Sequence, residues 1–258
     1  MGQVDMNMAL SNPDQTPNDA AEDTLDEKHR ILADVFGFSG FRPGQAEIID
    51  TLLAGDCTLA VMPTGAGKSP LGDLLEAQGY RGRRCVHFDF GANLRSVDAK
   101  GTLLSTDTPL AGLSESDQVV IRNSLQTGAL LENEHFPIAG KLLLGFIEAR
   151  QMTGDDLLLL NGLPRHADQA RDMDTYVDVE CVFVLDGSAE TIPQRIQLDS
   201  GGDRGGRIDD AVHLVEKKLA TFRERTAPLI EHYDRLGAII HRFDVGVHTG
   251  AADLLGLV

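Results

Sequence analysis

The segment Gly65-Ala-Gly-Lys-Ser69 holds the residues best suited to chemistry. Its small residues leave backbone N–H groups open to an anion, and a cation and a hydroxyl follow at once. Lys68 at this spacing can reach the β- and γ-phosphates of a nucleotide, and the Ser69 hydroxyl can ligate Mg²⁺. The surroundings fit. Thr58-Leu-Ala-Val-Met62 reads as a short apolar strand, and a helix is predicted over 68–78 with Gly79 as its stop. Loop donors and a helix N-terminus together make a phosphate cradle of Gly65, Ala66, Gly67, Lys68 and Ser69. The full pattern asks for glycine at position 62, where this chain has Met62.

Composition bounds what such a cradle can serve. The chain has 258 residues, 23 Lys and Arg against 40 Asp and Glu, and a formal net charge of −17. A surface this acidic is ill suited to gripping nucleic acid through its phosphates. No stretch approaches the ~18 apolar residues of a membrane span, and with no basic stretch followed by an apolar one at its start a secretory leader is not expected. Cys57, Cys85 and Cys181 form no CxxC and read as reduced thiols of a cytoplasmic protein. The histidines, His87, His166 and His213 among them, show no metal-ligand spacing.

The elements that must position the cradle follow from hydrophobic periodicity. Residues 1–27 carry seven acidic and no basic residues and read as a disordered tail. A helical hairpin is expected over 28–56. Arg84-Cys-Val-His-Phe88, Leu157–Leu160, Cys181–Leu185 and Ala238–Phe243 read as further strands, mostly unbroken apolar runs of the kind covered on both faces in a parallel sheet. Ser114-Glu-Ser-Asp117 resembles a capping box opening a helix that Gly128 closes, and Phe136–Ala149 reads as an amphipathic helix. Asp199-Ser-Gly-Gly-Asp-Arg-Gly-Gly-Arg207 is a loop, and a long helix with a bend at Pro228 follows it. The alternation predicts a three-layer α/β fold.

Two resemblances meet at the cradle. Val35-Phe-Gly-Phe-Ser-Gly-Phe-Arg-Pro-Gly-Gln45 and Thr58–Ser69 resemble the start of a RecQ-type DNA helicase over residues 30–69. That resemblance implies that Gln45 reads the adenine edge of ATP. No DEAH-like box follows Ser69 and no second motor lobe fits the remaining length, so helicase activity is not expected.

Residues 57–258 resemble adenylate kinase and its nucleoside monophosphate kinase relatives. The resemblance rests on Asn161-Gly-Leu-Pro-Arg165 with Gln169, on Phe90-Gly-Ala-Asn-Leu-Arg95, on Arg195, on Arg207-Ile-Asp-Asp210, on Lys218 and on Thr226-Ala-Pro-Leu-Ile230. It implies a P-loop NTPase three-layer fold with a parallel five-stranded sheet, a helical acceptor-binding insertion over 90–150 and a short lid over 196–210. It implies ATP as co-substrate, Mg²⁺, and a nucleoside monophosphate as acceptor, in a monomer without membrane or nucleic-acid partners. Lys68, Arg165, Arg195 and Arg207 would be catalytic. Arg95, Arg165, Gln169 and Asp89 would meet the acceptor, and Ser69 with Asp89 the metal. Three departures stand out. Asn161 replaces the family's Asp, Phe90 falls where a small Thr meets the acceptor base, and Asp199 falls near a missing Arg. A nucleotide-binding regulator without turnover and a RecQ-like, DNA-dependent ATPase fragment are the alternatives.

Overall fold

A computed structural model describes residues 56–61, 67–104, 106, 109–188, 190–198 and 219–255. The expected tail and hairpin, Gly65 and Ala66 of the cradle, and Arg207, Asp209, Asp210 and Lys218 of the lid region lie outside the described residues.

Strands β1 (Asp56–Val61), β2 (Cys85–Asp89), β3 (Leu157–Asn161), β4 (Asp178–Asp186) and β5 (Ile239–Asp244) form one parallel sheet in the order β2-β3-β1-β4-β5. Every residue of β3 is buried, as are the first four of β2. Val, Leu and Phe fill both faces here because helices cover both. On one face Leu71 and Leu75 of α1 (Lys68–Gln78) pack with Leu157, Leu159, Phe183 and Phe243. On the other, Phe146 of α4 (Phe136–Ala149) meets Phe88 edge-on at 5.0 Å. Each such buried ring or leucine contributes roughly 1.5–3 kcal/mol.

The chain leaves β1 toward β2 and leaves β3 toward β4. Neighbouring strands whose connections part in this way open a crevice at their carboxyl ends, where ligands of open α/β sheets bind.

Local chemistry sets the helix ends. Gly67, at φ 101°, starts α1, a left-handed conformation that costs a glycine little, and no side chain caps the helix. Asp89 caps α2 (Phe90–Lys100) by accepting from the Ala92 N–H at 2.8 Å. Ser114 and Asp117 close a reciprocal capping box on α3 (Glu115–Thr127), which ends at Gly128 with φ 66°. Helices α5 (Ala167–Met173) and α6 (Thr191–Leu198) follow β3 and β4. The bend expected at Pro228 is a π-helical turn, Phe222–Thr226, closed by Ala227 N–H to the Phe222 carbonyl at 2.7 Å. A proline ring clashes with the carbonyl four residues back, so the helix widens just before it. Helix α7 (Pro228–Arg235) then leads to β5, and α8 (Ala251–Leu255) ends the described chain.

Strand β2 lies at the sheet's edge, yet its outward His87 N–H is not open. It donates to Glu76 Oε2 of α1 at 2.9 Å, and the other carboxylate oxygen of Glu76 accepts from Arg150.

Candidate active site

Three elements deliver polar groups to the carboxyl end of the sheet. Ser69 sits in the first turn of α1, Asp89 at the end of β2 and Asn161 at the end of β3. The Ser69 hydroxyl donates to Asp89 Oδ2 at 2.6 Å, and Asn161 Nδ2 donates to the same oxygen at 3.0 Å. Asn161 Nδ2 also lies 3.3 Å from Ser69 Oγ. Asp89 Oδ1 is engaged by the Ala92 N–H. Burial acts to raise the Asp89 pKa, but the Ser69 hydroxyl, the Ala92 N–H, His87 and Arg95 outweigh it, so the carboxyl is held below its ordinary range. Asp89 is therefore both a helix cap and an ionised group at the site.

Cations surround this carboxylate. Arg95 of α2 lies over Gly91, where an added β-carbon would meet Arg95 Nη1 at 3.4 Å and Asp89 Oδ1 at 3.5 Å. The Arg165 guanidinium forms no hydrogen bond or ion pair among the described residues. Burial lowers its pKa, and Asp89 opposes that shift. An arginine stays protonated in any case, so Arg165 holds a partly desolvated positive charge that an anion would relieve. Its backbone is pinned on both sides. The Arg165 N–H donates to Gln169 Oε1 at 2.9 Å, and Thr226 Oγ1 donates to the Arg165 carbonyl at 2.8 Å.

Arg195 is only 3% exposed. Its Nη1 donates to the Gly246 and Val247 carbonyls at 2.5 and 3.3 Å, and its Nη2 would lie 3.3 Å from a β-carbon at Gly67. One side chain thus bonds the loop after β5 and lies beside the start of α1. Lys68 lines a small space of about 10 Å³ with Leu71, Gly72, Leu75, His87 and Asn161.

Gln169 has a different occupation. It is fully buried, and while its Oε1 holds the Arg165 backbone its Nε2 donates to the Leu131 carbonyl at 2.8 Å. His166 also reaches that carbonyl, at 3.3 Å, and burial lowers its pKa. Phe90 is 1% exposed and packs beside Phe88 in the core.

Sequence reading missed the group behind Asn161. His87 Nε2 lies 3.3 Å from Asn161 Nδ2, and His87 Nδ1 lies 2.9 Å from Asp73 Oδ1. The signal was Gly72, a glycine inside a helical pattern, which marks a close approach. Among the described residues no group of three or more His, Cys, Asp and Glu gathers as a metal cage, and no helix is long and apolar enough to cross a membrane.

The fold is a parallel α/β sheet whose carboxyl ends bring Ser69, Asp89 and Asn161 together. No family model matches the chain. It is similar to an adenylate kinase of Synechococcus sp. (strain RCC307), 26% identical over 200 residues, which span 76% of this chain and 93% of the relative. It is 34% identical over 90 residues to a UMP-CMP kinase of Lentinula edodes, spanning 34% of this chain and 38% of that one. An adenylate kinase of Prochlorococcus marinus (strain MIT 9211) is 25% identical over 185 residues, or 69% of this chain and 83% of its own. These relatives support the nucleoside monophosphate kinase resemblance and lend the helicase one nothing.

Proposed function

We propose that the chain is a nucleoside monophosphate kinase, moving the γ-phosphoryl group of ATP to a nucleoside monophosphate. The observation that carries this reading is the cluster at the ends of β2 and β3. An ionised Asp89 bonded to Ser69 faces Arg165, a half-buried cation whose guanidinium has no hydrogen bond or ion pair among the described residues. The similarity to adenylate kinases over most of their length supports it.

Phosphoryl transfer asks little covalent help of a protein. It needs two polyanions held in line, their charge neutralised and water kept out. Arg95 and Arg165 hold the acceptor phosphate, where a planar guanidinium suits two oxygens at once. The cradle Gly65–Ser69 with Lys68 holds the donor, and Arg195 and Arg207 neutralise charge on it. Gln169 acts on the acceptor side by fixing the Arg165 backbone. The lid over 196–210 closes on both nucleotides.

The oxygens of Ser69 and Asp89 are hard donors, and one of the two groups is ionised, a set that fits Mg²⁺. The ion supplies charge neutralisation on the phosphates when bound. Asp89, from β2, then provides the carboxylate that the Asn at 161 lacks. Free thiols at Cys85 and Cys181 accord with a cytoplasmic setting. Residues 28–56 have no part in this reading.

The test is ATP consumption with Mg²⁺ against AMP, CMP, UMP, GMP and dTMP, with single-stranded DNA as a further arm and Lys68→Ala as control. Turnover that needs one monophosphate and vanishes in the control is expected. ATP binding without turnover on any acceptor overturns the reading, and stimulation by DNA alone favours a motor fragment.

A further inference from the structure

We infer that Glu132, Arg225 and Thr226 are positioning residues for Arg165, closing a circuit of contacts that holds its backbone from both sides. The inference deepens the kinase reading and rests on it for its functional half. With no hydrogen bond or ion pair to its guanidinium among the described residues, Arg165 is aimed through its own backbone. On one side the Arg165 N–H donates to Gln169 Oε1 at 2.9 Å, and Gln169 Nε2 donates to the Leu131 carbonyl at 2.8 Å. One end of this buried amide faces an N–H and the other a carbonyl, so it has a single orientation. On the other side the Thr226 hydroxyl donates to the Arg165 carbonyl at 2.8 Å.

These two sides belong to segments far apart in the chain, and one ion pair joins them. Glu132 follows Leu131, and Arg225 precedes Thr226. Arg225 Nη1 donates to Glu132 Oε1 and Nη2 to Glu132 Oε2, each at 2.7 Å. Two parallel bonds between planar groups fix an angle as well as a distance. Each partner favours the other's charge. Arg225 holds the Glu132 carboxyl below its ordinary range, and Glu132 pushes the Arg225 pKa up. The circuit therefore runs from Arg165 to Gln169, to Leu131 and Glu132, to Arg225 and Thr226, and back to Arg165. Arg225 and Thr226 both lie in the π-helical turn Phe222–Thr226, whose wider winding aims side chains differently from an α-helix. That turn gives one residue to Glu132 and the next to Arg165. The side chains of Arg225 and Glu132 are 36% and 53% exposed, so the pair adds little to global stability. Glu132 precedes the short 3-10 turn Asn133–His135 without capping it through its side chain, so that turn does not need it either. What the pair supplies is alignment of the two segments that grip Arg165.

Two measurements test this. The first needs no activity. Amide hydrogen exchange of the nucleotide-free full chain, followed by NMR, compares the Arg165 N–H with the amides of β3. Glu132→Ala and Arg225→Ala are each expected to speed exchange at Arg165 about 5-fold or more, the scale of coupling between residues in contact. The β3 amides are expected to exchange as in wild type. An Arg165 amide that keeps the wild-type rate in both variants overturns the circuit, and so does equal acceleration in β3, which marks general loosening. The second is kinetic. Each single variant is expected to raise KM for the acceptor about 5-fold, with kcat and KM for ATP within about 2-fold of wild type. The double variant, Glu132→Ala with Arg225→Ala, is expected to match the singles, because either loss opens the same circuit. Losses that multiply overturn the pairing. Thr226→Val keeps nearly the same shape without the donor and is expected to raise acceptor KM likewise, while Thr226→Ser stays near wild type. Equal acceptor KM in Thr226→Val and Thr226→Ser overturns the part given to Thr226. Should Thr226→Val not fold, the Glu132 and Arg225 variants decide. If wild type turns over no monophosphate, the kinase reading fails by itself, and the exchange rates still decide the circuit.

Discussion

A β-carbon on Gly72 would lie 2.4 Å from Nε2 of His87. Helix and histidine compete for one space, and the glycine concedes it. A Gly-to-Ala change inside an exposed helix gains roughly 0.8–1 kcal/mol. Here the sign reverses. Gly72→Ala is expected to destabilise by about 1–3 kcal/mol, as overpacked cores do, and to move the imidazole off Asn161. Urea unfolding checks the first effect, and turnover on the acceptor found for wild type checks the second.

Asp89 joins two roles that one substitution separates. Asparagine caps helices about as well as aspartate, so Asp89→Asn is expected to unfold within about 1 kcal/mol of wild type. It removes the charge beside Ser69, and activity is expected to fall about 10- to 100-fold. Thermal melts beside acceptor-dependent ATP consumption distinguish this from general damage.

Arg165 sets stability against use. Its charge is partly desolvated and has no partner among the described residues. Arg165→Met is expected to raise the Tm of the nucleotide-free protein, since a partly desolvated charge without an ion-pair partner is costly. It is expected to abolish acceptor use. Arg165→Lys keeps the charge but loses the fork, and its KM for the acceptor is expected to rise roughly 10-fold or more. A Tm below wild type for Arg165→Met would refute the stability half.

Asp117 carries the pH prediction. Burial acts to raise its pKa, but the Ser114 N–H and Lys141 outweigh it, so the folded value lies below the usual one. A depressed carboxylate stabilises above its unfolded pKa of about 3.9 and stops doing so as pH falls through the folded value. Asp117→Asn is therefore expected to be less stable than wild type at neutral pH, and the gap to close below about pH 4. A gap that persists at low pH would assign the effect to packing.

Burial pushes the Cys85 thiol up to about 11. The thiolate is the reactive form, so Cys85 is expected to resist alkylation at pH 8 in the folded protein and to label fully in urea. Mass mapping of the alkylated chain reads both states.

Much of the scaffold was legible because it follows from local rules. The helix over Lys68–Gln78 ends at a glycine, α3 opens with the Ser114–Asp117 box, and Phe136–Ala149 has its apolar stripe. Helix α2 was read only as part of the helical insertion over 90–150, although Phe90, Leu94 and Val97 lie at helical spacing and are buried. At the site, Ser69, Asp89 and Asn161 each stood out by type or position, and the structure brings them within hydrogen-bond reach. The part played by His87 could not be read in this way. It depends on Asp73, Gly72 and Asn161, which come from α1 and β3 and meet only once the sheet has formed. Gln169 was read as a group meeting the acceptor. Its bonds to Arg165 and Leu131 arise from a fold-back that spacing alone does not reveal.

The carboxylate of Glu76 has a consequence beyond its own contacts. A peptide joining the sheet beside β2 would have to take the His87 N–H as a rung of its ladder, and that donor is already spoken for, with Arg150 gripping the other oxygen of Glu76. Sheet edges that offer unpaired donors invite other chains to add strands and, repeated, to grow fibres. On the β2 side that route is blocked by one acidic side chain on the helix that also carries Lys68 and Ser69. Glu76→Ala would reopen it, and self-association would then grow from the flank that borders the crevice at the carboxyl ends of the strands.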